Sequence, residues 1–210
     1  MTDKKNRALY LVQGVSDGLY IDRAVHEDIF PIHLYDSVKT CCSEDIFDKG
    51  LSLSKKLSFA DRHSDWIRFS CDKNLRKNLR DQITHDINFL YLEHKKVDVL
   101  AHSLGTWMML GTNIYVDNCF LFGSPCGFAG FLSSMIIDKE LKSLKGSGLR
   151  SRNLANIYGD WIGMHDLKDW LVDRTTTNYN KFRTHSRDHQ LSEMIKTLPK
   201  DHYEHMITKI

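Results

Sequence analysis

The chain has 210 residues, of which 41% are hydrophobic and 27% charged, and its formal net charge is +2. This composition is ordinary for a globular protein of one domain with a large core, and the charge is too small to suggest nucleic acid or a membrane surface as a partner. No apolar run approaches the length of a membrane-spanning helix.

The start of the chain and its cysteines bear on its compartment. Residues 1–7 are polar and lead directly into a short apolar segment, so we predict no signal peptide. The five cysteines are odd in number and have no framework spacing, which favours reduced thiols. We therefore expect a cytoplasmic protein.

The first half of the chain alternates between strand and helix patterns. Residues 8–12 form a continuous apolar run, typical of a strand buried on both faces of a parallel sheet, and residues 13–18 follow as a turn-rich loop. Residues 19–60 are mixed, with at least one short helix expected. Residues 66–70 predict the next strand, and a helical spacing of apolar residues predicts a long helix over about 75–95.

The second half continues this alternation. Strands are predicted at 97–101, 118–122 and 154–158, with helices after 105, over 128–145 and over 191–198, and an irregular segment over 161–184. Strands that alternate with helices predict an α/β protein with a mainly parallel central sheet and helices on both faces. No linker or repeat interrupts the pattern, so we expect a single domain over residues 1–210.

The pentapeptide Ala101-His102-Ser103-Leu104-Gly105 lies between a predicted strand and a predicted helix. A strand, a sharp turn centred on serine and a helix make up a nucleophile elbow. The two backbones nearly touch at such a turn, so small residues are needed two positions before and after the serine. The usual pattern has glycine at both positions, and Ala101 is a mild departure from it. As an alternative, Ser103 merely caps the following helix.

With this elbow, the chain resembles a small member of the α/β-hydrolase superfamily, of the lipase and esterase type. The resemblance extends from about residue 8 to the last helix. It rests on the elbow at Ser103, on the glycine loop that follows the first strand, and on the order of the candidate triad residues. It implies a small form of the α/β-hydrolase fold and a serine hydrolase.

The candidate acid follows from the order Ser, Asp or Glu, His that this superfamily uses. A serine hydroxyl needs a histidine base, and the histidine needs a carboxylate to fix its tautomer. The resemblance places that acid beyond the second strand after the elbow, where Asp160 lies. Asp166 and Asp169 are rivals that we expect to be solvated or capping groups. As an alternative, Asp160 is only a turn residue beside Gly159.

Two histidines before the last helix are candidates for the base. His185 leaves room for a loop across the top of the sheet, and the pair His185-Ser186 is similar to the family's usual sequence. His189 lies so close to Leu191 that it fits the start of the helix as a cap. We favour His185, with His189 as the alternative base.

The oxyanion hole needs two backbone N–H groups. One is that of Leu104, directly after the nucleophile. The second comes from the loop after the first strand, with Val15 favoured and Gly14 as the alternative donor. Similar hydrolases often have a histidine where this chain has Gln13. Gly14 could also serve only to make a turn.

The substrate is the least determined part of this hypothesis. Residues 126–150 are apolar at their start and predict either a small lid over the site or an amphipathic helix packed on the sheet. We predict a serine hydrolase that cleaves carboxylic esters, with a small-molecule or acyl ester as substrate. The alternatives are a thioesterase, peptidase or acyltransferase with the same triad, and a binding protein of this fold without catalysis.

No cofactor or metal is expected. His202 and His205 have a spacing that suits metal ligands, but no third ligand is evident nearby, and a solvated tail is the better interpretation. The sequence leaves the oligomeric state undetermined.

Overall fold

The computed structural model describes residues 5–12, 14, 30–41, 71–125, 132–144, 147–159, 166–184, 191–196 and 200–208. Within these residues the chain forms an α/β fold around one sheet. The predicted strand at 66–70 lies outside the described residues.

The sheet has six strands, all parallel to their neighbours, in the order β2-β1-β3-β4-β5-β6. The strands are β1 (Lys5–Val12), β2 (Ser37–Cys41), β3 (His94–His102), β4 (Tyr115–Phe122), β5 (Arg150–Tyr158) and β6 (Thr176–Arg183). A parallel sheet with this order belongs to the doubly wound α/β class. The α/β class and the parallel sheet that the sequence predicts are therefore confirmed.

Six α-helices and one 3₁₀ turn are described. The helices are α1 (Lys73–Glu93), α2 (Leu104–Leu110), α3 (Leu132–Ser143), α4 (Asp169–Thr175), α5 (Leu191–Lys196) and α6 (Lys200–Thr208), and the 3₁₀ turn is Ile32–Leu34. Helix α1 begins at the cap residue Asp72, whose carboxylate accepts hydrogen bonds from Asn74 N and Leu75 N. None of the helices in the described part of the chain is long and apolar enough to cross a membrane.

Helices cover both faces of the sheet, as predicted. Strand side chains alternate between the two faces, so one continuous apolar run supplies both core layers. Helices α1 to α4 pack on one face around Trp107, and α5 and α6 pack on the other around Tyr203. Tyr203 lies against Phe30 and Phe120, at ring-centroid distances of 5.0 and 5.6 Å.

A network of hydrogen bonds links polar side chains of strands β1, β3, β4 and β5. Asp98 is fully buried on β3, accepts a hydrogen bond from Arg7 at 2.7 Å and another from Tyr35 at 2.8 Å. Asn118 on β4 donates to the same carboxylate at 3.0 Å and accepts from Asn153 on β5 at 2.8 Å. These contacts satisfy the carboxylate of Asp98, which the burial of β3 would otherwise leave without partners.

Two predictions about the elements need correction. The segment 161–184 is not irregular throughout, because it contains α4 and the edge strand β6. For the mixed region 19–60 the sequence left the place in the fold open, and the structure shows that it contributes the strand β2 at the opposite edge of the sheet. Residues 200–208 are not a solvated tail but helix α6, which buries Tyr203 and leaves His202 and His205 exposed.

Candidate active site

The order in which the chain adds strands to the sheet changes direction between β1 and β3. The chain passes from β1 outward to β2 and then returns to place β3 on the other side of β1. Ligands of open α/β sheets bind outside the carboxyl ends of the strands at such a switch point. Val12 and Ala101 pair across these two strands, near their carboxyl ends. The chain therefore leaves β1 and β3 at the place where a ligand site is expected.

Ser103 occupies this switch point in a strained conformation. It lies between β3 and α2 with φ 54° and ψ −126°, and among the described residues it is the only one other than glycine with positive φ. Such a conformation costs a non-glycine residue about 1–3 kcal/mol and persists only where its surroundings hold it. Its side chain makes no capping bond to α2, which disfavours the simple cap interpretation. The residue is half-buried.

Gly14 lies directly against this serine. A Cβ placed on Gly14 would be 2.9 Å from Ser103 Cβ and 3.4 Å from Ser103 Oγ. The first of these distances is shorter than side chains tolerate, so position 14 admits only glycine without displacement of Ser103. The loop after β1 and the turn after β3 thus share one small space around the serine hydroxyl.

Hydrogen bonds hold the backbone of Ser103 on both sides. Its N–H donates to Phe122 O at 2.9 Å, and its carbonyl oxygen accepts from Thr106 N at 3.0 Å. The hydroxyl of Thr106 donates to the same carbonyl at 2.7 Å and lies 2.9 Å from the hydroxyl of Ser124. These bonds fix the strained turn to strand β4 and to the loop that follows it.

Ala101 and Gly105, the two small residues of the pentapeptide, are both buried. Ala101 belongs to the core cluster on the side of α1 and α2, so its methyl group is accommodated where the usual pattern has glycine. The N–H of Leu104 lies in the first turn of α2, where backbone donors have no partner within a helix. It is therefore suited to donate a hydrogen bond to an oxyanion.

The carboxyl ends of β4, β5 and β6 continue the same edge of the sheet. Gly123 turns away from β4 with φ 58°, and its N–H donates to Ile157 O at 2.8 Å. At the next strand, Thr184 N donates to Tyr158 O at 2.8 Å. Asp160 comes two residues after Tyr158, and His185 directly follows Thr184.

Four of the predicted site residues lie outside the described residues. They are Asp160, His185, His189 and Val15. The structure therefore brings together Ser103, Leu104 and Gly14 of the predicted site, and leaves the acid, the base and the favoured second oxyanion donor as predictions.

Asp166, one of the rival acids, is bound by side chains of β5 and β6. Its carboxylate accepts hydrogen bonds from Tyr179 OH and from Asn156 Nδ2, and it pairs with Lys181 at 3.2 Å. Burial raises the pKa of this carboxyl, but the hydrogen bonds from Tyr179 and Lys181 outweigh burial and the net pKa is lowered. These bonds tie the carboxylate of Asp166 to strands β5 and β6. Asp169, the other rival, lies in the first turn of α4.

Thr106 and Ser124 were not singled out from the sequence. Both are buried, and their contact joins α2 to the loop after β4. A threonine among the apolar residues of a helix gives a weak signal, because its partner is set by tertiary contact and not by spacing.

Among the described residues, no group of three or more His, Cys, Asp or Glu side chains is arranged to hold a metal ion.

Searches with the sequence found no matching protein-family model and no matching curated protein.

Proposed function

We propose that the chain is a serine hydrolase with an α/β-hydrolase fold, and that it cleaves carboxylic esters. The observation that carries the proposal is the strained Ser103, held at the switch point with Gly14 against its side chain. Sheets of this strand order also serve nucleotide-binding proteins. In contrast, a strained serine between a strand and a helix is typical of a nucleophile elbow.

The proposed reaction begins with attack of Ser103 Oγ on the ester carbonyl carbon while His185 takes the hydroxyl proton. The carbonyl oxygen becomes an oxyanion, which accepts hydrogen bonds from Leu104 N–H and from Val15 or Gly14 N–H. His185 then gives the proton to the leaving alcohol, and an acyl-serine remains. A water molecule, deprotonated by His185, then attacks the acyl carbonyl carbon. His185 returns the proton to Ser103 Oγ as the carboxylic acid is released.

Asp160 is proposed as the carboxylate that fixes the tautomer of His185. Its position in the chain supports this role, since it follows the carboxyl end of β5, and His185 follows the carboxyl end of the adjacent β6. His189 remains the alternative base.

Turnover of p-nitrophenyl esters tests this proposal. We expect Ser103→Ala to lower kcat at least about 10³-fold, because the attacking oxygen is removed. Ser143→Ala is the matched control, since Ser143 is exposed on α3 and donates to Glu140 O. Full turnover by folded Ser103→Ala would refute the mechanism.

The same assay distinguishes the remaining candidates. If only one of His185→Ala and His189→Ala abolishes turnover, that histidine is the base. Asp160→Asn is expected to lower kcat about 10⁴-fold through loss of the correct tautomer. Acyl-CoA thioesters and peptide amides complete the substrate panel, and faster cleavage of either would replace the ester assignment.

A further inference from the structure

The peptide unit between Ser103 and Leu104 carries hydrogen-bonding groups on both sides. Its N–H is the donor that the proposed function assigns to the oxyanion. Its C=O points in the opposite direction, because the peptide is trans and planar. That carbonyl oxygen accepts one hydrogen bond from the hydroxyl group of Thr106, at 2.7 Å, and another from the N–H of Thr106, at 3.0 Å.

The direction of the bonds behind this carbonyl is fixed by chemistry. Thr106 has one hydroxyl proton, and a carbonyl oxygen can only accept, so that proton points to Ser103 O. The proton between the two hydroxyls, which are 2.9 Å apart, then comes from Ser124. Ser124 O–H, Thr106 O–H and the Ser103 carbonyl therefore form a directed chain that ends on the peptide.

Burial strengthens the hydrogen bonds that connect Ser124, Thr106 and the Ser103 carbonyl. Thr106 is fully buried and Ser124 is 1% exposed, so water does not compete for their hydroxyl groups. Successive hydrogen bonds in a region of low dielectric constant polarise one another. A carbonyl that accepts such bonds withdraws electron density from its own peptide nitrogen, and the N–H on the other side becomes a stronger donor in a fixed direction.

We infer that Thr106, supported by Ser124, is a positioning residue that aims and polarises the Leu104 N–H toward the oxyanion. The inference rests on the proposed function for the existence of the oxyanion. Thr106 acts only through the peptide, and its contribution is made when negative charge develops in the transition state. Its loss is therefore expected to lower kcat and leave KM unchanged.

Steady-state kinetics with p-nitrophenyl acetate tests the inference. Loss of a whole oxyanion donor costs about 10²–10³ in kcat, so weakening one donor in Thr106→Val is expected to cost about tenfold. Thr106→Ser keeps the hydroxyl and is expected to retain most of kcat. Ser124→Ala removes only the outer bond and is expected to cost about threefold, in proportion to its indirect role.

Thr112→Val is the matched control. Thr112 is 1% exposed, and its hydroxyl donates to Met109 O at 2.6 Å, three residues earlier in the chain, as Thr106 does to Ser103 O. It lies at the opposite end of α2 from the elbow. It therefore matches Thr106 in burial and bonding, and its loss is expected to lower stability without the selective fall in kcat.

A readout that does not depend on turnover is the amide ¹⁵N chemical shift of Leu104, which responds to hydrogen bonds accepted by the carbonyl of the same peptide. We expect this chemical shift to differ from that of the unmodified protein in Thr106→Val and to be unchanged in Thr112→Val. An unchanged shift with unchanged kcat in folded Thr106→Val would overturn the inference while leaving the hydrolase proposal in place. If Thr106→Val does not fold, an unchanged kcat in Ser124→Ala overturns it.

Inactivity of the unmodified protein toward all esters, thioesters and amides would instead refute the proposed function, and the oxyanion role of Thr106 would fall with it. The two failures are thus distinguished by the unmodified protein alone.

Discussion

The backbone of Gly14 lies against the side chain of Ser103, so that a Cβ on residue 14 would approach Ser103 Cβ to 2.9 Å. The two residues follow β1 and β3, the strands between which the sheet order reverses. The contact therefore joins the two loops that would have to supply the nucleophile and one oxyanion donor. It also limits what can replace either residue.

Gly14→Ala is expected to lower kcat/KM for ester substrates by about 10- to 100-fold, because a displacement of about 1 Å at a reacting group has effects of this size. The control is Gly111→Ala, whose added methyl group would meet the flexible side chain of Arg80 instead of Ser103. We expect the control to lose thermal stability and keep its activity. Equal activity in both variants would contradict a shared space at Gly14 and Ser103.

Ser103→Gly is expected to raise the free energy of unfolding above that of Ser103→Ala by about 1 kcal/mol. Glycine adopts positive φ without strain, whereas alanine keeps the strain of φ 54°. The gain is reduced by the greater freedom of glycine in the unfolded chain. Urea unfolding of both inactive variants measures the difference. A less stable Ser103→Gly would show that residue 103 carries little strain.

Asp98→Ala is expected to lower the free energy of unfolding by about 3–5 kcal/mol, because it leaves the guanidinium of Arg7 buried without its carboxylate. The Arg7 and Asp98 side chains are 6% and 0% exposed. Asp81→Ala is the control, since Asp81 pairs with Lys77 at the surface, where such pairs contribute at most about 1 kcal/mol. Similar losses of unfolding free energy in both variants would contradict a structural role for the buried hydrogen bonds of Asp98.

The lowered pKa of Asp166 predicts a specific loss of stability in acid. A carboxyl whose pKa is lower in the folded state stabilises the fold above its ordinary pKa of 3.8, and this contribution disappears as the pH falls through the folded value. Asp166→Asn lacks this contribution at every pH. The difference in unfolding free energy between the two proteins should therefore be constant from pH 7 to 5 and shrink below about pH 4. A constant difference down to pH 2 would contradict the pKa shift.

The central part of the fold could be predicted because its strands are buried on both faces. Residues 8–12 are a continuous apolar run, residues 118–122 and 154–158 are largely apolar, and each segment is the core of a parallel strand. Apolar positions at helical spacing predict helix α1, and four of them are buried: Leu79, Ile83, Ile87 and Leu90.

The edges of the sheet could not be predicted in the same way. Strand β6 is an edge strand with exposed Asn178, Asn180 and Lys181, so it lacks the apolar run that marks a central strand. Strand β2 at the other edge is half exposed for the same reason. Their strand conformation comes from backbone pairing with a buried neighbour, a tertiary effect that composition does not report.

For the site, the sequence predicted a strand, a turn and a helix around Ser103, and the structure has this arrangement. The positive φ follows from that turn and not from any preference of serine. The bond between Thr106 and Ser124 depends on how two loops meet, so no local pattern predicts it. Asp160 and His185 stay predictions that rest on their order in the chain.

Fluorophosphonate labelling with mass-spectrometric mapping tests the central claim most directly, because the reagent reacts with serines that an adjacent base has activated. We predict one phosphonyl group on Ser103, no label on Ser103→Ala, and retained labelling of Ser143→Ala. Labelling of Ser103 that is lost in His185→Ala or His189→Ala would also identify the base. Folded protein that takes up no label, or carries it on another serine, would contradict the assignment of Ser103 as a catalytic nucleophile.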